Sequence, residues 1–365
     1  MGVSAQEQEP ERPVTWSRRS RTLTIGGVAL VVLTCLAAFV PVPYSTMRPG
    51  PVFNTLGEFD GRPLIEFGDG VTTYDDPDGS LNFTTVSVSR ASSDVSLLDA
   101  VKTALTPDAE VVPRDLLYPE GTTQEQSTQE SAAQLAGSKS TSAVAALRAL
   151  GKDVTTRVLV ASVVEDGPAK DVLQADDLVR SIDGVAVATP QEAVDQISKA
   201  KPGDTVTLDV ERAGKPQQVS VTTVPAEDDP DRALVGVTLG ADYDLPVDVT
   251  NNVGEAIGGP SAGTMFALAI YDKLTPGSLT AGRDIAGTGT IDADGVVGPI
   301  GGVKQKIAGA DEAGAEVFLV PAANCAEAAE SDRDLTLVKV EKLTGAIDAL
   351  EALAKDPDAE VPTCE

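Results

Sequence analysis

A long uncharged segment near the start of the chain sets the first constraint on the fold. No charged side chain occurs from Thr22 to Met47, and the apolar run Leu23–Val40 approaches the roughly 20 residues that cross a bilayer as a helix. The sequence therefore predicts a transmembrane helix over residues 22–42.

The charges on either side of this segment predict its orientation. Four arginines lie within residues 1–21, whereas only Arg48 follows closely after the segment. The positive-inside rule then predicts a disordered cytoplasmic tail, a single pass through the plasma membrane, and an extracellular location for everything downstream. A cleaved signal peptide is the alternative, since Cys35 and Ala37 are small enough for a weak cleavage site.

The composition excludes several kinds of chemistry. With 28 basic and 56 acidic side chains the formal net charge is −28, which repels phosphate backbones, so we expect no nucleic-acid partner. The chain has no histidine, and its three cysteines form no CxxC pair, so we predict no zinc and no other cofactor. A Ser-His-Asp triad is excluded as well, and any nucleophile must use a different base.

The cysteines carry one open question. Cys35 lies inside the predicted span, which leaves Cys325 and Cys364 on the oxidising side of the membrane. The sequence leaves open whether these two residues pair.

The first extracellular stretch has secondary structure but no obvious chemistry. The segment Leu81–Arg90 alternates like a strand, and the alanine-rich segment Ser127–Leu150 predicts a helix. The run AGSKST, residues 136–141, lacks the first glycine of a phosphate loop because Ala132 stands in that position. We find no ATPase signature.

From Thr156 the pattern changes to short alternating strands around helices. The run GPAKDVLQADDLVRSIDG, Gly167–Gly184, resembles a PDZ domain of the bacterial protease-associated kind, although Asp176 stands where glycine is usual. The resemblance implies a groove that captures an extended peptide as an added strand. It would place the carboxylate-binding loop near Leu150 and Gly151. A PDZ-shaped spacer that binds nothing tightly is the alternative.

The stretch AIGGPSAGTMFALAIY, Ala256–Tyr271, places a lone hydroxyl at the start of an apolar helix. Gly258 and Gly259 permit unusual backbone angles, and Pro260 suits the first turn of a helix. Ser261 is then expected at a helix N-terminus, where free amides and the helix dipole favour an oxyanion. The alternative is a small residue that merely caps the helix.

Lysine is the natural base in a chain without histidine. Helical spacing of about 100° per residue places Lys306 beside the apolar arc that begins at Val303, whereas Lys304 points the other way. An inward lysine can act as a base, because burial in an apolar pocket lowers the pKa of its amine. Either lysine alone is also compatible with an ordinary solvated cation near a helix start.

Three blocks together resemble the proteolytic domain of Lon proteases, which are Ser-Lys dyad peptidases. They are GGPSAG (258–263), DIAGTGTIDADGVVGPIGGVKQK (284–306) and GAEVFLVPAAN (314–324). The resemblance implies that Ser261 is the nucleophile and Lys306 the general base. It further implies that Thr288 holds the lysine by hydrogen bonding, and that Gly259 and the Ser261 amide bind the oxyanion.

This chain departs from the Lon pattern at two positions and in its layout. Many Lon proteins carry an acidic residue in place of Gly258 and a glutamate in place of Thr290, and the ATPase of full-length Lon is absent. The layout resembles the membrane-anchored, PDZ-containing Lon-like proteases of bacteria, in which the PDZ module interrupts the protease fold. That resemblance implies that the strand Thr84–Ser89 and the helix up to Leu150 belong to the catalytic unit, and it leaves a homo-oligomer open.

We therefore predict an α/β (α+β) Lon-type proteolytic domain with an inserted, mostly β PDZ domain and one N-terminal transmembrane helix. The expected function is that of a membrane-tethered, ATP-independent serine endopeptidase acting on exposed or unfolded segments of secreted or membrane proteins. An inactive PDZ adaptor and a protease that processes only itself are the alternatives. The predicted limits are a cytoplasmic tail (1–21), the transmembrane helix (22–42), an extracellular N-terminal part of the Lon-like unit (43–150), the PDZ domain (151–226), the proteolytic domain (231–355) and a C-terminal tail (356–365).

Overall fold

A computed structural model describes residues 17–75, 78–119, 121–254 and 256–364. Most of the tail predicted to be disordered, residues 1–16, lies outside the described residues. The described strands are β1 (Pro41–Val42), β2 (Tyr44–Asn54), β3 (Glu58–Phe59), β4 (Arg62–Pro63), β5 (Ile65–Phe67), β6 (Ser80–Val88), β7 (Val95–Ser96), β8 (Glu110–Pro113), β9 (Thr155–Val163), β10 (Leu178–Ile182), β11 (Val185–Ala186), β12 (Thr205–Arg212), β13 (Lys215–Thr222), β14 (Val224–Pro225), β15 (Ala233–Leu234), β16 (Val237–Asp244), β17 (Val249–Asn251), β18 (Asp284–Gly287), β19 (Thr290–Ile291), β20 (Val297–Gly298), β21 (Val317–Pro321) and β22 (Thr336–Val340).

The helices alternate with these strands along the chain. They are α1 (Arg18–Phe39), α2 (Leu97–Ala104), α3 (Arg114–Leu117), α4 (Gln124–Ala149), α5 (Pro190–Ile197), α6 (Gly263–Leu274), α7 (Val303–Glu312), α8 (Cys325–Ala328) and α9 (Leu343–Lys355), with a 3-10 turn at Ala322–Asn324.

The chain divides into two compact units. The first comprises Met1–Gly50 and Val86–Thr128, and the second comprises Pro51–Thr85 and Gln129–Glu365. In the first unit, β1 pairs with β7 and the first half of β2 pairs with β8, both antiparallel.

The helix α1 belongs to the first unit and is uncharged and mostly apolar on all sides after Arg21. It is long and apolar enough to cross a membrane, and none of its side chains is fully buried. Its position near the N-terminus fits a membrane span and a signal sequence equally well.

A parallel sheet organises one part of the second unit. The strands β22, β21, β18 and β6 pair in that order, each pair parallel. Leucine, phenylalanine and alanine side chains from β6, α4, α6 and α9 fill the core beside it. The segment that the sequence predicts as a strand near Thr84 therefore pairs with β18, which ends at the first glycine of the GTGT block.

An antiparallel sheet forms a separate body within the second unit. Its strand order is β13-β12-β10-β9-β16, with β11 added to β10, and its valines and leucines form a core of their own. The strand β16 follows the predicted PDZ limit at residue 226, yet it pairs with β9 along its whole length. Near the predicted carboxylate-binding loop, Gly151 adopts φ +69° and caps the end of α4, and the Lys152 amide donates to the Leu147 carbonyl.

Candidate active site

The nucleophile candidate precedes a buried helix by a short turn. The helix α6 begins at Gly263 with Ala262 as its N-cap, so Ser261 stands just before the helix and Pro260 lies in the preceding turn. The prediction that Pro260 occupies the first helical turn is therefore wrong, because the helix begins a few residues after Pro260. The reason is that the Pro260 carbonyl accepts the Gly263 amide in a tight turn, 3.3 Å away, instead of opening the helix ladder.

The glycines before Ser261 allow α4 to approach the turn closely. A Cβ added at Gly258 would lie 2.7 Å from the Ser131 Cβ, and Gly259 adopts φ +85°, which disfavours other residues. The Gly259 amide donates to the Ser131 carbonyl at 3.0 Å, and the Ser138 hydroxyl donates to the Pro260 carbonyl at 3.0 Å. This close packing gives a physical reason for glycine at position 258, where many Lon proteins carry an acidic residue.

The second lysine of the GGVKQK motif reaches the serine. The helix α7 begins after Gly302, and Lys306 places its Nζ 2.7 Å from the Ser261 Oγ and 2.8 Å from the Thr288 Oγ1. The Lys306 residue is only 3% exposed. Desolvation by burial lowers the pKa of the Lys306 amine to about 7, so a large fraction of the amine is neutral near neutral pH.

The first lysine of the motif lies on the outer side of α7. The Lys304 Nζ pairs with the Glu330 carboxylate at 2.6 Å, and both side chains are exposed. The hydrogen bond and charge of Lys304 hold the pKa of the Glu330 carboxyl below its ordinary value. Helical spacing therefore separates the two lysines correctly.

The threonine of the GTGT block links the lysine to the serine backbone. The Thr288 Oγ1 donates to the Ser261 carbonyl at 3.0 Å while it accepts from Lys306, and the Gly289 amide donates to the same carbonyl at 2.8 Å. This arrangement fixes the backbone that carries the hydroxyl relative to the amine.

The two residues predicted to bind an oxyanion differ in their surroundings. The Ser261 amide has no hydrogen-bond partner within the part of the chain that the structure describes. The Gly259 amide is engaged by Ser131. In this arrangement Ser261 therefore offers a free N–H, and Gly259 offers one only after it leaves the Ser131 carbonyl.

Sequence reasoning missed two groups that hold the site. One face of α4 places the Ser131 carbonyl and the Ser138 hydroxyl, seven residues apart, against the turn before Ser261. No local pattern signals these contacts, since Ser131 acts through its backbone. Asn324 bonds both the amide and the carbonyl of Ile300 through its side chain, at 2.9 and 3.0 Å, which fixes the turn before α7. Asn324 lies in the quoted block GAEVFLVPAAN, but no local pattern assigns it a partner 24 residues away.

Among the residues with described positions, no three histidine, cysteine or acidic side chains lie close enough together to hold a metal ion. The chemistry available at the site is that of a hydroxyl, a desolvated amine and backbone amides.

Comparisons with known proteins identify both parts of the chain. Residues 251–350 match the family model of the Lon protease (S16) C-terminal proteolytic domain, and residues 125–223 match that of the PDZ domain. The Lon protease of Phenylobacterium zucineum is 38% identical over 95 residues, 25% of this chain and 12% of that protein. The Lon protease of Campylobacter concisus is 34% identical over 146 residues, 39% of this chain and 17% of that protein. The crystal structure of the PDZ domain of an SdrC-like protein from Listeria monocytogenes is 37% identical and covers 22% of this chain and 85% of that one, with a TM-score of 0.21.

The chain thus combines a Lon-type S16 protease domain with a PDZ domain in a mixed α/β fold. The resemblance and the fold class predicted from the sequence are confirmed. The chain spans only the stated small shares of the two Lon proteases that it matches. The predicted domain limits and site residues stay predictions.

Peptide binding is the general property of a PDZ domain, and one edge of this sheet is open to it. Within the described residues β16 pairs only with β9, and α5 contacts both strands. The turn before β16 is tightly built: Gly236 has φ +74°, and its carbonyl accepts the Val164 amide at 2.9 Å.

Proposed function

We propose that this protein is a membrane-tethered, ATP-independent serine endopeptidase with a Ser261–Lys306 dyad. The observation that carries the proposal is the 2.7 Å contact between the Lys306 amine and the Ser261 hydroxyl, made by an amine that is almost fully buried. A base must lie within hydrogen-bond reach of the proton it removes, and it works best with a pKa near the ambient pH; Lys306 lies within that reach, and burial lowers its pKa to about 7.

The reaction follows from these contacts. Neutral Lys306 takes the Ser261 proton as the Ser261 oxygen attacks a peptide carbonyl, and the Ser261 amide stabilises the resulting oxyanion. The lysine then gives its proton to the leaving amine, so that the peptide bond breaks and an acyl-enzyme remains. Lys306 next removes a proton from water as the water oxygen attacks the acyl carbonyl. When the bond between that carbonyl carbon and the Ser261 oxygen breaks, Lys306 returns the proton to the Ser261 oxygen, so that the acid product leaves and the free enzyme is restored.

The proposed location is the outer face of the plasma membrane, with α1 as the anchor and the N-terminus in the cytoplasm. The charge asymmetry around α1 supports this orientation. The disulfide between Cys325 and Cys364 supports it independently, because structural disulfides persist in oxidising compartments.

The proposed substrates are exposed or unfolded segments of secreted or membrane proteins. An extended peptide would add to the free edge of β16 beside α5, and the PDZ domain would thereby deliver substrate to the protease. Binding should slow amide exchange in Val237–Asp244. The opposite edge strand, Lys215–Thr222, is the internal control and should be unchanged; equal protection of both strands, or of neither, would contradict this mode of binding.

The decisive experiment measures cleavage of an unfolded protein by the purified full chain without ATP. We expect activity in the wild type and in Lys304→Ala, and none in Ser261→Ala or Lys306→Ala. Lys304 is the matched control because it lies on the same helix and faces solvent. Full activity in Ser261→Ala would refute the proposed nucleophile.

The same variants distinguish the two alternative functions, an inactive adaptor and a protease that acts only on itself. An adaptor without activity would cleave nothing, and its cellular function would survive Ser261→Ala. A protease that acts only on itself would shorten its own chain but would not cleave an added Ser261→Ala copy.

A further inference from the structure

The helix α2 has its large apolar side chains on the outside. Ala100 and Thr103 are buried against the first unit, whereas Leu97, Leu98 and Val101 are exposed. Leu105, which caps the helix, is 80% exposed. At about 100° per residue these four apolar residues fall within one arc of about 100°. This pattern is the reverse of that in a water-exposed helix, where leucines face the core.

The exposed face lies directly beside the end of the candidate membrane span. The Leu97 amide donates to the Val40 carbonyl at 2.9 Å, and β7, which leads into α2, pairs with β1 immediately after α1. In α1 only Ala37 and Ala38, in the last turn, are half-buried, and the rest of the helix is exposed. The rest of the first unit therefore packs against α1 only at its last turn.

A second segment with exposed apolar side chains, α3, is also bonded to the backbone just after α1. The helix α3 carries Leu116, which is 74% exposed, and its neighbour Leu117 is exposed as well. The Arg114 amide, at the start of α3, donates to the Pro43 carbonyl at 3.1 Å. Two separate helices with exposed leucines are thus each bonded to the backbone within four residues of the end of α1.

We propose that these residues form an apolar collar that inserts into the interfacial region of the lipid bilayer around the point where α1 leaves it. The apolar collar comprises Leu97, Leu98, Val101, Leu105 and Leu116. A short helix with one apolar face lies in the membrane interface when that face is held at the right depth, and the bonds to Val40 and Pro43 supply this positioning. The inference rests on the proposed membrane tether.

Apolar contact with the bilayer interface, and not attraction to charged headgroups, is the interaction that this surface offers to lipid. Acidic side chains outnumber basic ones from Arg90 to Tyr118, so anionic headgroups gain no net attraction here. A patch of exposed leucines also suits a second protein copy, but the collar adjoins the uncharged, apolar end of α1. The continuous surface of α1 and the collar favours lipid as the occupant.

The test uses the full chain reconstituted into phosphatidylcholine vesicles, with an environment-sensitive fluorophore on a single free cysteine. Native Cys35, inside α1, reports on the span itself. Val101→Cys, in a Cys35→Ser background, reports on the collar, and Lys102→Cys is the matched control on the polar flank of the same helix. Lipids that carry a quencher at shallow depth should remove about half of the Val101→Cys emission and much less of the Lys102→Cys emission.

Each outcome decides the matter. Quenching of Cys35 by a bilayer-centre quencher without shallow quenching at Val101→Cys would overturn the collar and leave the tether intact. Absence of quenching at Cys35 would remove the tether, and the collar with it. A blue-shifted Val101→Cys emission that lipid quenchers do not reach would identify a protein–protein contact instead, and quenching that requires added phosphatidylglycerol would identify an electrostatic one.

A second variant protects the test from misfolding. Leu98→Gln with Leu105→Gln changes only exposed side chains, so proteolysis of an unfolded substrate should be unchanged. The same pair should abolish the shallow quenching at Val101→Cys. Retained quenching in this variant would also refute the collar.

Discussion

The Gly259 amide donates its hydrogen to the Ser131 carbonyl, 3.0 Å away, in the turn just before the candidate nucleophile. This bond ties the turn to α4 and occupies one of the two N–H groups expected to hold an oxyanion. A catalytic hole with two donors therefore requires Gly259 to exchange its partner during the reaction. The left-handed conformation of Gly259 makes such a movement accessible, since glycine has few steric limits on φ.

A transition-state mimic should drive this exchange. A peptide aldehyde that adds to the Ser261 oxygen creates an oxyanion, and we expect the Gly259 amide to leave Ser131 and donate to the adduct. A structure of the adduct checks this directly. An adduct in which Gly259 remains bonded to Ser131 would limit the hole to the Ser261 amide, and the predicted role of Gly259 would then be wrong.

Local sequence patterns select the two side chains that the structure places within hydrogen-bond distance of each other. Glycines and a proline before an apolar run mark the turn that presents Ser261, and the 3.6-residue period of α7 separates Lys306 from Lys304. Both inferences need only the few neighbours along the chain. The fold class also followed from local blocks, because each matches a known module.

The remaining features depend on contacts between distant parts of the chain. Gly259 and Ser131 are far apart in sequence, as are Ser138 and Pro260, so no periodicity reveals that they meet. The strand β16 illustrates the same limit: alternation predicts a strand, but its pairing with β9 depends on how the chain returns after β13.

The pH dependence of activity should report the buried amine. Burial lowers the pKa of Lys306 to about 7, and only the neutral amine can accept the Ser261 proton. We expect kcat/KM to rise about tenfold per pH unit well below pH 7 and to level off above pH 7. Lys304→Gln should give the same profile, because Lys304 is exposed. A midpoint near the ordinary lysine value would contradict the role of desolvation.

The same desolvation should cost stability at low pH. The unfolded chain keeps the Lys306 pKa near 10.5, and the folded chain lowers it to about 7. Below pH 7 the Lys306 amine is charged in both states, and burying that charge lowers the unfolding free energy by about 5 kcal/mol. As the pH rises from about 7 to 10.5, Lys306 stays protonated only in the unfolded state, so the unfolding free energy rises. Lys306→Met should therefore be the more stable protein at pH 6, with a difference that shrinks towards pH 10.5.

Denaturant unfolding of the wild type and Lys306→Met at several pH values measures this difference. The variant cancels the contribution of all other titrating groups, which change in both proteins alike. Lys304→Met is the control and should shift the unfolding free energy by less than about 1 kcal/mol, since its ion pair with Glu330 is exposed. A difference that does not depend on pH would show that Lys306 is not desolvated.

Thr288 should be important for the rate and not for the fold. Thr288→Val keeps the shape but removes the hydroxyl that accepts from Lys306 and donates to the Ser261 carbonyl. The loss of hydrogen bonds worth about 1–3 kcal/mol should lower kcat about 10- to 100-fold, with KM little changed. Thr288→Ser keeps the hydroxyl and should restore most of the rate. Equal loss in both variants would assign the effect to packing.

The Cys325–Cys364 disulfide should stabilise the protease domain. It links the C-terminal segment to Cys325, the first residue of α8. The Cys364 amide also donates to the Leu337 carbonyl of β22 at 3.1 Å. A cross-link between residues 39 positions apart contributes about 4 kcal/mol by the loop-entropy relation. The double variant Cys325→Ser, Cys364→Ser should therefore unfold at clearly lower denaturant, and dithiothreitol should lower the wild type to the same midpoint. Cys35→Ser, which removes the free cysteine in α1, is the control and should leave that midpoint unchanged; a wild type insensitive to reduction would mean that the two cysteines do not pair in solution.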